Sequence, residues 1–153
     1  MEKTLKINVP DGYVIDEEKS TFENIVFKKV DDVVIKWNKN YCGVEINVDD
    51  EHFVVDSNPS YYMNWDDAMR FYSQPHRSHT WKLPTGKQLK VLAKYLDKVN
   101  EIIRENNGYE INGYVWSCEE MGDFCAWIVS MPDGYTFSNA KYTNYYVRAV
   151  SAL

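Results

Sequence analysis

With 153 residues, 44% of them hydrophobic, the chain is long enough for one domain with a substantial core. Its net charge of −6 argues against a nucleic acid or an anionic membrane surface as the partner of the whole molecule. No stretch approaches the apolar length of a transmembrane helix, and the first residues lack the apolar region of a signal peptide, so we expect a cytoplasmic protein as synthesised.

The first part of the chain, residues 1–58, is predicted to consist of short strands. Polar and charged turns separate runs in which apolar residues alternate with polar ones or stand together. One acidic turn, 49–51, lacks the staggered oxygen ligands and the glycine of a calcium-binding loop, so we interpret it as solvated. The predicted strands lie at 5–9, 13–15, 25–27, 33–35, 44–48 and 53–55.

Helical spacing of the apolar residues begins after residue 61. A short helix is predicted over 64–73, and Asn64 has the side chain to cap it. The loop that follows holds His76 and His79, but no third ligand stands nearby at a metal-binding spacing. The sequence therefore predicts no metal site in this loop and no cofactor elsewhere.

A longer helix, over 85–106, is the most clearly marked element of the chain. Thr85 and Gln88 have the spacing of a capping box, in which each side chain satisfies a backbone N–H group of the first turn. Gly108 is predicted to adopt the left-handed conformation that ends the helix. Apolar residues at three- and four-residue steps predict a buried face that includes Leu83, Leu89, Leu92 and Leu96.

The last part of the chain is rich in strands again. The order of strands, two helices and a final meander indicates the α+β class, because a parallel sheet would need strands and helices in alternation. Strands are predicted at 114–118, 125–130, 135–137 and 145–150, with an acidic loop at 119–123, a turn at 132–134 and a polar-aromatic segment at 138–144.

The three cysteines are an odd number without the spacing of a disulfide framework. Together with the missing export signal, this predicts reduced thiols in a cytosolic setting. Cys118 and Cys125 flank the predicted acidic loop, so a cross-strand disulfide between them stays open.

Several short segments, taken in this order, resemble the signature of the Legionella collagen-like protein C-terminal domain family and of the related Fibrobacter succinogenes major-domain family. The resemblance covers about residues 60–151, with Lys82 and Cys118 as departures from the usual Arg and small hydroxyl residue. It implies a C-type-lectin-like fold, in which two helices pack beside an antiparallel sheet and the last strand returns next to the first. The segments are a predicted helix bearing Trp65 and Ala68, then Trp81-Lys82-Leu83-Pro84-Thr85, Val115-Trp116-Ser117-Cys118-Glu119, Ala126-Trp127, Asp133-Gly134 and Val147-Arg148-Ala149-Val150.

The resemblance also implies a division of the chain. Residues 59–153 would form the C-type-lectin-like domain, and residues 1–58 would form a β-rich N-terminal segment that packs on this domain or leads into it. The opening of that segment is similar to the leaders of some bacterial and phage-associated proteins.

Proteins with the implied fold usually meet their ligands at the loops and strands after the second helix, here about residues 117–146. Since this fold hosts several functions, the first hypothesis is a non-catalytic binding or adhesion module with a protein or glycan partner and of unknown oligomeric state. No membrane insertion is expected, because no stretch is apolar over the length of a membrane span. Tyrosine and asparagine in this region offer rigid contact area and adaptable hydrogen bonds. Alternation predicts that Tyr145 faces the core with Val147. The candidate ligand-binding residues are Glu119, Glu120, Asp123, Tyr135, Asn139, Lys141, Tyr142, Asn144 and Tyr146.

Two other functions stay open. The chain could be a structural subunit of a phage particle or surface assembly, with residues 1–58 as the segment that attaches it to the assembly. It could also be an enzyme related to the formylglycine-generating oxidases, which use a reactive cysteine pair, although their Arg-Gly-Gly-Ser and Trp-Glu-Trp segments are absent. Calcium-dependent sugar-binding lectins carry a Glu-Pro-Asn or Gln-Pro-Asp triplet and a Trp-Asn-Asp triplet. Neither kind occurs in this sequence, so no calcium site is predicted.

Overall fold

The computed structural model describes residues 7–10, 13–21, 24–29, 33–73 and 79–153. This part of the chain contains both helices and largely antiparallel sheets, which confirms the predicted α+β class. The helices are α1 (Trp65–Tyr72), α2 (Gly86–Lys94) and α3 (Leu96–Glu105). The strands are β1 (Tyr13–Ile15), β2 (Phe27–Lys29), β3 (Val33–Asn38), β4 (Gly43–Val48), β5 (Glu51–Asp56), β6 (Tyr61–Met63), β7 (Gly113–Met121), β8 (Cys125–Met131), β9 (Thr136–Ala140), β10 (Tyr145–Val147) and β11 (Val150–Ser151).

Two sheets carry most of the fold. The five-stranded sheet has the order β6-β10-β7-β8-β9, and the four-stranded sheet has the order β11-β5-β4-β3. All pairs are antiparallel except β10 with β7. Among the described strands, β1 and β2 pair only with each other.

The core lies on both faces of the five-stranded sheet. On one face, Val115 and Val129 join the apolar residues of α2, α3 and the four-stranded sheet in one buried cluster. On the other face, Trp116 and Ile128 pack with Trp65 of α1. Successive strand residues point to opposite faces, so this sheet is the layer between the two clusters.

The predicted long helix is interrupted at Tyr95. The backbone of Tyr95 departs from helical geometry, with φ −110° and ψ 21°, yet its N–H group still donates to the Val91 carbonyl at 3.2 Å. No glycine or proline stands here, so the sequence contains no sign of the break. The predicted leucine face is confirmed, since Leu83, Leu89, Leu92 and Leu96 are all buried.

The end of α3 differs from the prediction. The left-handed residue is Asn107, with φ 59°, and Gly108 has no positive φ. Asparagine tolerates this conformation better than most residues. Gly108 is needed for space instead, because a Cβ atom there would lie 2.8 Å from Ile103 Cγ2 and 2.9 Å from Ser57 Cβ.

Three predictions in the last third are corrected. Glu119 and Glu120 are not in a loop but in β7, which continues to Met121 after a register shift against β8. The polar-aromatic segment is a strand as far as Ala140, because β8 pairs with it, with Ser138 opposite Trp127 and Asn139 opposite Ala126. The predicted strand 145–150 is two strands, β10 and β11, in different sheets.

Arg148 explains why that last strand divides. Its buried guanidinium donates from Nη1 to the carbonyls of Asp56 and Tyr109 at 2.8 Å each, and from Nη2 to the carbonyl of Glu110 at 3.1 Å. Its Nε donates to Ser60 Oγ at 3.0 Å. The chain therefore leaves one sheet at Val147 and enters the other at Val150.

The N-terminal strands are formed only in part as predicted. Residues 7–9 form no strand, because Ile7 and Val9 are exposed and no described strand pairs with them, and residues 5 and 6 lie outside the described part. The strand predicted at 25–27 starts at Phe27, since the Val26 N–H donates to Ser20 Oγ at 2.8 Å in a loop.

The chain division after residue 58 stays a prediction. On its N-terminal side, β4 and β5 contribute buried residues to the same cluster as α2 and α3. β5 also pairs with β11, through Val55 opposite Val150 and Val54 opposite Ser151. The two sides of the division therefore share a sheet and a core.

Candidate functional site

Most residues of the sequence signature hold the fold together. Thr85 and Gln88 form the predicted capping box of α2, with both hydrogen bonds present. Trp81 and Trp116 are buried, and Arg148 binds three carbonyls as described. The signature therefore accounts for the architecture, and the residues available for a partner lie elsewhere.

Glu119, a candidate ligand-binding residue, belongs to this structural group. Its Oε1 accepts a hydrogen bond from the Gly86 N–H at the start of α2. A carboxylate at a helix N-terminus is stabilised by the unpaired N–H groups and the helix dipole. Glu119 is thus engaged as a second cap, beside Thr85.

Two neighbouring turns bring several other candidates together. The Lys141 N–H donates to the Phe124 carbonyl at 2.8 Å, which joins the turn after β7 to the turn after β9. We call residues 120–124 and 141–144 the turn end. Tyr142 and Phe124 are 85% and 82% exposed there. Glu120, Asp123 and Asn144 are exposed at the same end.

Lys141 is held inside the turn end. Its Nζ lies 3.2 Å from Glu120 Oε2 and 4.7 Å from the centre of the Trp65 ring, and its side chain is only 12% exposed. Its carbonyl accepts the Trp65 N–H at 3.0 Å. Lys141 therefore ties the turn to α1 and leaves little charge for a partner.

A second surface lies on the face of the five-stranded sheet beyond α1. The Tyr114 ring meets the Phe137 ring edge-on at 5.4 Å and the Tyr145 ring at 6.1 Å, while Tyr135 lies 6.4 Å from Phe137. We call these four residues the aromatic face. Tyr114 is 50% exposed and Tyr135 is 70% exposed.

The aromatic face is held in place by contacts with a buried ring and with a side chain of β9. Tyr145 packs edge-on against the buried Trp116, with ring centres 5.1 Å apart. Asn139 donates from Nδ2 to the Tyr145 hydroxyl at 2.6 Å, and its Oδ1 accepts the Ala140 N–H at 2.7 Å. The candidate Asn139 thus positions a ring of this surface.

Tyr146 points to the opposite face from Tyr145. Its ring lies 5.1 Å from that of Tyr62 and close over Gly113, where a Cβ atom would be 2.9 Å away. The predicted orientation of Tyr145 and Tyr146 is confirmed. Tyr145 packs in the same cluster as the fully buried Val147, whereas Tyr146 is partly exposed. Tyr146 and Tyr135 consequently lie on different faces of the sheet, so one flat partner does not cover both.

Sequence reasoning missed three rings, the exposed Tyr114 and Phe124 and the partly buried Phe137. Tyr114 stands two residues before Trp116, and this spacing places both side chains on one face of a strand. That signal was present in the sequence for Tyr114. Phe137 and Phe124 could not be assigned in this way, because their exposure depends on which elements cover the strand and turn.

The thiols show no redox pairing. Cys125 is opposite Met121 in the β7–β8 ladder, and Cys118 lies further along β7, so the possible disulfide is not formed and both thiols are free. Burial raises the pKa of the Cys118 thiol, and the neighbouring Glu119 carboxylate raises it further. Such a thiol is a weak nucleophile at neutral pH.

No group of three or more potential ligands is assembled for a metal ion among the described residues. His79 stacks on Tyr41 with ring centres 3.8 Å apart, while His76 lies outside the described part. No helix in the described ranges is long and apolar enough to span a membrane.

The lysines of α2 share a cleft of about 790 Å³ with acidic side chains. Lys87, Lys90 and Lys94 line it together with Asp49 and Asp50. Opposite charges at one cleft reduce the net field that an anionic partner would meet.

The family model of the Lcl C-terminal domain matches residues 32–151, from the start of β3 to the end of β11. This match confirms the resemblance seen in the sequence and extends it on the N-terminal side. None of the curated proteins compared with the chain matches it.

Proposed function

This chain belongs to the Lcl C-terminal domain family, and from that premise we propose that it is a non-catalytic module that binds a protein or glycan partner. We further propose that its fold is C-type-lectin-like. The packing of α1 and of α2 with α3 against a largely antiparallel sheet supports this, as does the return of β10 beside β6.

The aromatic face is the observation that supports the proposal most. Tyrosine and phenylalanine bury much area with few rotatable bonds, and a tyrosine hydroxyl adds a hydrogen bond at the rim. Ring contacts and the Asn139–Tyr145 hydrogen bond hold the rings in place before a partner arrives. A rigid contact surface loses less entropy on binding than a mobile one.

The turn end is the second part of the proposed contact region. Tyr142 and Phe124 extend from neighbouring turns, and the exposed acidic residues Glu120 and Asp123 flank them. Charges at the rim of an interface affect the association rate more than the affinity. We therefore expect the rings to determine the affinity and the carboxylates to affect the association rate.

The alternative of a formylglycine-generating oxidase receives no support from the thiols. That chemistry needs a reactive cysteine pair, whereas Cys118 and Cys125 are not opposite each other in the ladder. The raised pKa of Cys118 also disfavours the thiolate that would have to react.

The test is a glycan-array and pull-down screen on the full chain, followed by titration of any partner found. Replacing Tyr114 and Tyr135 together by alanine should weaken binding about 30-fold or more, the equivalent of ~2 kcal/mol. A second double variant, Phe124→Ala with Tyr142→Ala, measures how much the turn end contributes to the binding affinity.

Tyr109→Ala is the matched control, because Tyr109 is an exposed tyrosine outside both surfaces. It should bind within about twofold of the wild type, and all variants should keep the wild-type melting curve. Full binding by the Tyr114/Tyr135 variant would remove the aromatic face from the proposal.

A further inference from the structure

β9 forms an edge of the five-stranded sheet, and within the described ranges it has none of the usual protection of an edge strand. Edge strands normally carry charges, prolines or bulges, or are very short or covered, because their free backbone groups attract other strands. β9 has five residues without charge or proline, and its register against β8 is unbroken.

The other edges of the two large sheets are protected. β6 has only three residues, and β3 carries the exposed Lys36. The outer side of β11 is covered by Lys82, whose N–H donates to the Val150 carbonyl at 2.9 Å and whose carbonyl accepts the Val150 N–H at 2.9 Å. β9 is thus the exception among these edges.

The hydrogen bonds at both ends of the β8–β9 ladder show which groups of β9 are free. The Ser130 N–H donates to the Tyr135 carbonyl at 2.9 Å, and the Lys141 N–H donates to the Phe124 carbonyl at 2.8 Å. In an antiparallel ladder, hydrogen-bonded and non-hydrogen-bonded pairs alternate. The odd-numbered residues of β9 therefore bond to β8, and Thr136, Ser138 and Ala140 direct their N–H and carbonyl groups outward.

Ala140 is satisfied within the chain. Its N–H donates to Asn139 Oδ1 at 2.7 Å, and its carbonyl accepts the Thr143 N–H at 2.9 Å. The backbone groups of Thr136 and Ser138 have no such partner among the described residues. The backbone groups that remain free for pairing at this edge are therefore those of Thr136 and Ser138.

We propose that a second copy of this chain pairs with β9 in an antiparallel manner, about a two-fold axis through Phe137. In this register Thr136 lies opposite Ser138 of the second copy, so both residues of both copies use all their free backbone groups. An axis through Ser138 would instead oppose Thr136 to Ala140, whose groups are already bonded. The internal bonds of Ala140 thus select one symmetric register.

The side chains fit the same register. Phe137 lies opposite its counterpart at a non-hydrogen-bonded position, where side chains approach most closely and aromatic pairs are favourable. Tyr135 lies opposite Asn139. Because Phe137 and Tyr135 belong to the aromatic face, dimerisation joins two such faces into one continuous surface. A dimer of this kind would bind a repetitive partner with two linked sites.

Sedimentation velocity on the full chain, from about 5 μM to about 500 μM, tests the proposal in the range expected for a small interface. The wild type should shift from monomer to dimer as concentration rises. Ser138→Pro should raise the dimer dissociation constant at least about tenfold, because it removes an outward N–H without removing a bond to β8. Ser138→Ala, which keeps that N–H, should stay within about twofold.

Two further measurements keep the test decisive if Ser138→Pro misfolds. In amide exchange, Ser138 should gain protection as concentration rises, while Phe137 is protected at all concentrations by β8. Under mild oxidation, Phe137→Cys should form a 137–137 link between copies and Thr136→Cys should not. A monomer throughout, a larger oligomer, or a dimer that shows neither the Ser138 protection nor the 137–137 link would overturn the proposal.

Discussion

One buried guanidinium determines where the chain changes sheets. Arg148 stays charged at neutral pH, although burial lowers its pKa to about 10. Removing a charge from water is costly, and here several carbonyl acceptors offset that cost. The planar fork of donors reaches three carbonyls from β5 and from the loop before β7. A lysine at this position has no comparable fork.

Arg148→Lys should therefore lower the free energy of unfolding by about 2–5 kcal/mol, because it leaves buried carbonyls without donors. Urea titration followed by tryptophan fluorescence measures the change. Arg104→Lys is the matched control, since Arg104 forms an exposed ion pair with Glu110 at 3.3 Å and should change stability by less than about 0.5 kcal/mol. Equal effects of the two substitutions would contradict the structural role of Arg148.

The thiols can be ranked by reactivity. Cys42 is exposed, whereas burial and the Glu119 carboxylate raise the pKa of Cys118. Alkylation with iodoacetamide at pH 8, followed by mass spectrometry, should label Cys42 at least about tenfold faster than Cys118. Denatured protein is the control, in which both should react at similar rates. Faster labelling of Cys118 in the native chain would revive the enzyme hypothesis.

Single residues were predictable where their partners are close in sequence. Asn64 and Thr85 cap helices as expected, because each bonds to an N–H group only three residues away. Arg148 and Glu119 were not predictable, because their partners lie far along the chain. The same applies to Gly108, whose requirement comes from Ser57 on another segment.

At the scale of elements, the helices were easier to predict than the strands. A helix supplies its own hydrogen bonds, so spacing and caps suffice to place it. A strand depends on a partner, which is why Glu119 and Glu120 looked like a loop and are part of β7. Conversely, Ile7 and Val9 alternate as in a strand but pair with no strand in the part of the chain that the structure describes.

The apolar face of α2 and α3 gives the prediction for this scale. Leu92 is almost fully buried in the cluster that joins the helices to both sheets, so Leu92→Ala should cost about 2–5 kcal/mol of unfolding free energy. Lys90→Ala, on the exposed side of the same helix, is the control and should be nearly neutral. Chemical denaturation gives both values, and a neutral Leu92→Ala would refute this packing.

At the scale of the whole molecule, the predicted site residues do not form one site. Tyr142 and Asp123 lie at the turn end, Tyr135 belongs to the aromatic face, and Tyr146 lies on the opposite face of the sheet. Closeness in sequence grouped them, whereas alternation along strands separated them. Which rings remain uncovered depends on the position of α1, and the sequence contains no direct signal for that.

The chain division at residue 58 leads to a test of the whole fold. β4 and β5 supply Val44, Ile46, Phe53 and Val55 to the cluster that covers α2 and α3. A fragment of residues 59–153 would lose these side chains and would leave β11 without its partner β5. Exposed apolar surface of this size removes much of the driving force for folding.

We therefore expect residues 59–153 to show no cooperative thermal transition, while residues 33–153, which contain both large sheets, unfold cooperatively. Near-ultraviolet circular dichroism and calorimetry on the two fragments distinguish these outcomes, with the full chain as reference. A sharp transition in the 59–153 fragment would mean that the domain folds without β4 and β5. In that case residues 1–58 would be an accessory segment, and the shared core would add stability without being required for the fold.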